Sequence, residues 1–336
     1  MRLSSKQMHA LLVAVTTLVA VLAVLIVSLA LVAEQSVSAH ASSADTATLA
    51  SAAASDTAAS QPATAAVLSP HGAPLDAYRG LASWVDVYDT PAWRDPREAV
   101  QSMARHGVRT LFVQTSHFNS PTPFVNVKAL REFIVEGHAH GLKVVAWYLP
   151  NMKPGSVDYK RAVAAVKLRT SDGQSFDSFA LDIESSAISS EAMRNRGLAA
   201  LSAKIRSAVG PTYPLGAIIP APVGLQKVHS VWHDFPYTGL AGVYDVFMPM
   251  GYYTYHGRTA STAYADVRAN LRILRAQPGC EQMPVHLIGG IAEDSSQAQV
   301  DAFVRGAVEG HVIGASLYGW AGTSAGAWKS LSAITP

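Results

Sequence analysis

From Tyr78 to Pro336 the chain alternates between short apolar runs and longer stretches in which apolar residues recur every three or four positions. Short runs bounded by turn residues predict buried strands, and the periodic stretches predict amphipathic helices. Eight such runs follow one another: Leu81–Val87, Arg109–Thr115, Leu142–Tyr148, Phe176–Glu184, Pro214–Ile219, Tyr244–Met250, Pro284–Ile291 and Val312–Tyr318. The first helix opens at Asp95-Pro96, an N-cap followed by proline at the first helical position, and Gly107 stops it. Further helices are expected through Leu130 and Phe133, and over Ser156–Thr170, Ser189–Val209, Ala263–Leu274, Ser295–Val308 and Ser324–Ala333. Gly224–Gly242 is the least regular crossover and predicts only a short helix.

Eight strand–helix units in roughly 260 residues fit the (β/α)8 barrel, here a single domain over 78–336. The strands read as continuous apolar runs rather than strict alternations, as a parallel sheet covered on both faces requires. The competing open, doubly wound sheet calls for a glycine-rich nucleotide fingerprint after the first strand, and none is there.

Ahead of this domain the pattern changes twice. Arg2 and Lys6 precede an uncharged apolar run from Ala10 to Ala33, and Ala39-His40-Ala41 follows. Residues 1–41 therefore read either as a secretory signal with a small-residue cleavage site or as an N-terminal membrane anchor. Both versions place the rest of the chain outside the cytoplasm. Residues 42–77, rich in Ala, Ser and Thr, predict a flexible tether, because such a segment buries too little surface to offset its ordering entropy.

Composition narrows the chemistry. Of 336 residues 49% are hydrophobic and 15% charged, and the net charge is only +2, with the basic residues scattered; this argues against a nucleic-acid partner. The one cysteine, Cys280, excludes an intrachain disulfide, and no Cys/His spacing suggests zinc. His138 and His140, two apart on a helix, face different ways and read as solvated or capping residues rather than ligands. No cofactor is implied.

The fourth run carries the candidate chemistry. Asp182 and Glu184 lie two apart at the end of a strand, so they emerge on one face, one pleat apart. Two neighbouring acids cannot ionise independently, and one apparent pKa rises. A proton donor beside a negative charge is what glycosidic bond cleavage uses; a helix-capping acid with a salt bridge is the plainer alternative. In a (β/α)8 barrel the chemistry sits at the C-terminal ends of the strands. There this sequence puts Trp84, Asp86 and Asp89, then Gln114 and His117, then Trp147 and Tyr148. Later strands add Met248, Met250, Tyr252, Tyr253, Tyr255, Glu293, Asp294, Tyr318 and Trp320. Acids mixed with aromatic rings suit a carbohydrate: rings stack on sugar C–H faces and acids bond the hydroxyls.

Phe176–Glu184 resembles the signature of the family-18 (chitinase-type) glycoside hydrolases, Asp-Gly-x-Asp-x-Asp-x-Glu, with Asp177, Asp182 and Glu184 at three of its four acidic positions. Val246–Tyr252, with His256-Gly257 after it, resembles the sixth strand of that family, and Trp320 is placed like the tryptophan that floors its sugar site. The resemblance implies Glu184 as general acid and Asp182 as the carboxylate that orients the N-acetyl group. It further implies Tyr252 as donor to that group, Trp320 beneath the ring, and attack on the anomeric carbon by the substrate's own carbonyl oxygen. Two positions depart from the pattern: Ala180 replaces the middle acid and Tyr253 replaces Asp or Asn. The fourth strand is also similar to that of the family-25 muramidases, where Asp86 or Asp89 would complete a site acting on peptidoglycan. The sequence thus supports an extracytoplasmic glycosidase for an N-acetylated polysaccharide, with a non-catalytic glycan- or protein-binding barrel as the alternative. A polysaccharide or oligosaccharide is the expected partner, and the membrane enters only through the N-terminal segment.

Overall fold

The computed structural model describes residues 67–335. The apolar run from Ala10 to Ala33 and the Ala/Ser/Thr-rich stretch up to residue 66 lie outside the described residues. Among the described residues no helix is long and apolar enough to cross a membrane.

Each apolar run forms a strand: β1 Gly80–Val85, β2 Thr110–His117, β3 Lys143–Leu149, β4 Ser178–Asp182, β5 Leu215–Pro220, β6 Val246–Met250, β7 His286–Ile291 and β8 Gly314–Tyr318. Each pairs in parallel with the next, and β8 pairs with β1, so the sheet closes into a (β/α)8 barrel. The crossover helices include Pro96–Arg105, Val127–Ala139, Asp158–Lys167, Glu191–Val209, Ala260–Arg275, Gln297–Glu309 and Ala325–Leu331. Side-chain caps fix several starts. Asp95, Asn126, Ser190, Thr259, Ser296 and Ser324 each accept a first-turn N–H, an arrangement that contributes about 1 kcal/mol per helix. The irregular crossover is not one short helix but three, Pro222–Lys227, His229–Trp232 and Tyr237–Ala241.

Alternation along the strands sorts side chains into two layers. Leu81, Leu111, Val144, Phe179 and Leu181 point outward into a large core beneath the helices. Trp84, Phe112, Val145, Trp147, Ala180, Ile218, Met248 and Ile288 point inward and fill the barrel. The N-terminal end of the barrel is closed by the last residues of the expected tether together with Tyr78, the first of the expected domain. Leu75, Ala77 and Tyr78 are buried in the inner core, and Ser69 Oγ donates to Asp245 Oδ1 at 2.6 Å. The tether boundary at residue 77 therefore falls inside the packed structure, because Leu75 supplies the apolar plug that the Ala/Ser-rich composition obscured. Glycine at 216 is required here, since a Cβ would stand 2.7 Å from the Tyr78 hydroxyl.

Three polar groups inside the barrel form one hydrogen-bonded chain. Trp84 Nε1 donates to Ser316 Oγ (2.9 Å), and His286 bridges Ser316 Oγ (3.1 Å) and the Tyr78 carbonyl (2.8 Å). Burial pushes His286 down to about 4, so it is neutral: Nδ1–H donates to Tyr78 and Nε2 accepts from Ser316.

Candidate active site

Asp182 is the last residue of β4, and Glu184 follows it beyond Ile183. Ile183 is buried in the outer core and its N–H still donates to the Ile218 carbonyl (2.8 Å), so the chain stays extended past the strand end. That geometry turns both acids toward the barrel mouth. Their surroundings differ. Asp182 is 5% exposed, whereas Glu184 is open to solvent. Burial, and then the charge of Glu184, push the Asp182 carboxyl well above the usual carboxylate range. Desolvation by its surroundings raises Glu184 too, an effect its open face tempers. The pair therefore retains a proton, held more tightly by the buried member. Asp182 Oδ1 and the neighbouring Trp147 Nε1 have no hydrogen-bond partner among the described residues. An unpaired buried carboxylate oxygen is costly, and protonation lowers that cost.

Three tyrosines and an acid complete the mouth. Burial raises the Tyr252 phenol, with the charges of Glu184 and Asp182 adding to it, so Tyr252 lies within electrostatic reach of both and remains a neutral donor. Its ring meets those of Tyr318 (5.9 Å) and Tyr255 (5.8 Å) edge to face. Tyr318 donates to Asp86 Oδ2 at 2.8 Å, while Asp86 Oδ1 accepts the Tyr88 N–H at 2.7 Å. Trp320 stands at the rim, with its backbone N–H on the Trp84 carbonyl and its ring beside Asp89.

The other expected site residues divide into floor, brace and outer layer. Trp84 is 2% exposed and stacks on Phe112 at 4.3 Å. With Trp147 and Met250, both buried, it forms the floor below the mouth rather than a surface on which a sugar ring can lie. Gln114 is buried and accepts the Val87 N–H (2.9 Å), which turns the chain away from β1 two residues earlier than expected. Tyr148 and Tyr253 pack into the outer core rather than the mouth. Tyr148 follows an inward strand residue and so faces the helices, and Tyr253 opens a short 3-10 helix beyond β6. Tyr148 donates to Asp158 Oδ1 (2.7 Å), and Tyr253 bonds Ser295 Oγ (3.1 Å) in the outer core.

Asp177, at a signature position, lies at the opposite end of β4. It accepts from Lys143 Nζ (2.9 Å), His138 Nε2 (2.9 Å) and the Val144 N–H (2.8 Å). Burial works to raise its carboxyl, but these bonds together hold it below the usual range. His138 is thus an ion-pair partner rather than a solvated or capping residue, and Asp177, with Gln174, raises it. Ala180 sits in the inner apolar core directly below Asp182, so the position of the missing signature acid is dry. Sequence reasoning missed Tyr88, although Asp86 and Asp89 on either side of it were both candidates. A recess of about 590 Å3 lined by Arg97, Arg131, Glu136 and Arg169 lies on the flank of the barrel, away from the acid pair.

No protein-family model and no curated protein sequence matches the chain. Solved structures do. An endo-1,4-β-D-mannanase from Thermotoga petrophila superposes with a TM-score of 0.55 at 11% identity, over 72% of this chain and 88% of its own. A family-18 chitinase from Cycas revoluta, in complex with (GlcNAc)3, gives 0.54 at 14% identity, over 75% and 98%. A family-113 β-1,4-mannanase gives 0.51 at 12%, over 76% and 97%. The fold these structures share with the chain is the (β/α)8 barrel. At these identities the likeness speaks for the architecture. The chemistry of this barrel rests on its own residues.

Proposed function

We propose that the chain is an extracytoplasmic glycoside hydrolase acting on an N-acetylated polysaccharide such as chitin or peptidoglycan. The observation that carries this reading is the convergence of a solvent-open carboxyl, Glu184, with a buried acid, Asp182, and a neutral phenol, Tyr252, at one barrel mouth. Glu184 is the proton donor. A sugar covering it removes the solvent that makes it the stronger acid of the pair, which draws the shared proton from Asp182 toward Glu184.

Glu184 then protonates the glycosidic oxygen as that bond breaks, while the carbonyl oxygen of the N-acetyl group bonds to the anomeric carbon. Asp182, now anionic, accepts the amide N–H and balances the positive charge that develops on the ring. Tyr252 donates to the acetamido oxygen. In the second half, Glu184 carboxylate takes a proton from water as the water oxygen displaces the carbonyl oxygen, and the acid is restored. Export follows from the basic start, the apolar run to Ala33 and the small residues around His40.

Glu184→Gln should abolish hydrolysis of N-acetylglucosamine oligomers and isolated cell walls while leaving their binding largely intact. Unchanged turnover would rule the assignment out. One observation favours a second reading. Ala180 leaves Asp182 with no acid beneath it, as in a barrel that keeps a sugar-binding mouth without catalysis. Measurable sugar affinity that Trp320→Ala weakens, with no hydrolysis of any substrate, would select that reading.

A further inference from the structure

Two large aromatic rings on the catalytic face have no packing role that explains their exposure. Tyr88, between β1 and the helix Thr90–Arg94, is 72% exposed, and Tyr255, after β6, is 40% exposed. A single exposed aromatic needs no explanation. Tyr88, however, sits on an unusually braced turn. Its N–H donates to Asp86 Oδ1, its carbonyl accepts the Thr90 N–H (2.7 Å), Trp93 Nε1 donates to the Asp86 carbonyl (2.6 Å), and Gln114 holds Val87. The backbone is fixed so that the ring is presented outward. Tyr255 is also held from one side, with its ring perpendicular to Tyr252 and within reach of the charges of Asp294 and Glu184.

The strand order places these rings relative to the acid. Around the barrel, β1 and β6 are separated by β8 and β7, and β8 stands opposite β4. Tyr255, Tyr318 and Tyr88 therefore form an arc facing Glu184 across the mouth. A flat ring fixed in water is a platform for a sugar C–H face, and two platforms at separate points of the rim, with the acid beside the path between them, define a cleft open at both ends.

We infer that a polysaccharide lies across the mouth with sugar rings on Tyr88 at one end and Tyr255 at the other, so that the barrel takes internal segments of the polymer rather than chain ends. This rests on the sugar reading above, but it concerns where the chain lies and not whether it is cut.

The test uses Glu184→Gln as background, so that binding is read without turnover, and calorimetric titration with N-acetylglucosamine oligomers from disaccharide to hexasaccharide. Tyr88→Ala and Tyr255→Ala should each lower the ratio of hexasaccharide to disaccharide affinity by about three- to tenfold, and Tyr88→Phe should retain it. In the unmutated chain, the viscosity of a soluble acetylated polymer should fall well before reducing ends accumulate. Equal loss at every oligomer length, no loss, or release of only one- or two-sugar products from chain ends would overturn the inference. So would a concentration-dependent dimer that Tyr88→Ala dissolves. Retained length-dependent binding with no hydrolysis would defeat the catalytic reading and leave this one standing, whereas no binding of any oligomer would defeat both.

Discussion

The two ends of β4 carry acids with opposite fates. At the N-terminal end Asp177 collects a lysine, a histidine and a backbone N–H, and its carboxyl is held low. At the C-terminal end Asp182 has an unpaired oxygen over an apolar floor and an acid for a neighbour, and its carboxyl is held high. Both are fixed by the same backbone. What separates them is the supply of donors, and that supply distinguishes an acid held ionised by its partners from one that burial and a neighbouring charge keep protonated. Asp158 and Asp245 likewise accept hydrogen bonds from several elements.

Substitutions sharpen the contrast. Glu184→Gln should reduce kcat on N-acetylated oligosaccharides by about 10²–10⁴-fold with little change in melting temperature; a small loss of rate would place the proton donor elsewhere. Restoring the signature acid with Ala180→Asp should cost about 2–5 kcal/mol in urea unfolding, since a carboxyl there crowds a packed apolar floor and is itself desolvated. Unchanged stability would mean that the floor is not dry. Asp177→Ala should cost about 1–3 kcal/mol by stranding Lys143, His138 and the Val144 N–H, with turnover per folded molecule preserved. Tyr148→Phe should cost about 1 kcal/mol and leave KM untouched, as expected of a hydroxyl that serves Asp158 and not the substrate.

The same contrast sets opposite pH dependences. Asp177, lowered in the folded state, contributes stability that is present above the ordinary value of 3.8 and lost as pH falls through its folded pKa. Asp182, raised in the folded state, contributes stability that is present below 3.8 and lost as pH rises through its folded pKa. Denaturant titrations of Asp182→Asn should therefore show a flatter loss of stability on the alkaline side of 3.8, and those of Asp177→Asn a flatter loss on the acid side.

Most of the barrel was legible because buried parallel strands write themselves as apolar runs with little polar interruption, and the strands fall within a few residues of their expected spans. The acid pair was legible for the same reason that Tyr148 was misplaced. Side chains alternate along a strand, so Asp182 and Glu184 share a face, whereas Trp147 and Tyr148 cannot both enter the mouth. Tyr253 lies beyond β6 in a short 3-10 helix, where strand alternation gives no guide. Asp177 and Asp182 are separated by an odd number of positions, which already placed them on different faces. Other features left no local trace. The plug formed by Leu75 and Tyr78 depends on the space at Gly216, far along the chain, and the crossover from Pro222 to Ala241 follows tertiary contacts rather than any helical period. The burial of Trp84 and Trp147 depended likewise on how tightly the barrel closes on itself.

Carboxyl-carbon NMR of Asp182 and Glu184 across the acid and neutral range tests the central claim most directly. The account expects two linked transitions, both above the ordinary carboxylate values of 3.8 and 4.5, with Asp182→Asn returning Glu184 to a single transition. Two independent single-site titrations at the ordinary values would show that no proton is kept at the mouth, and would contradict it.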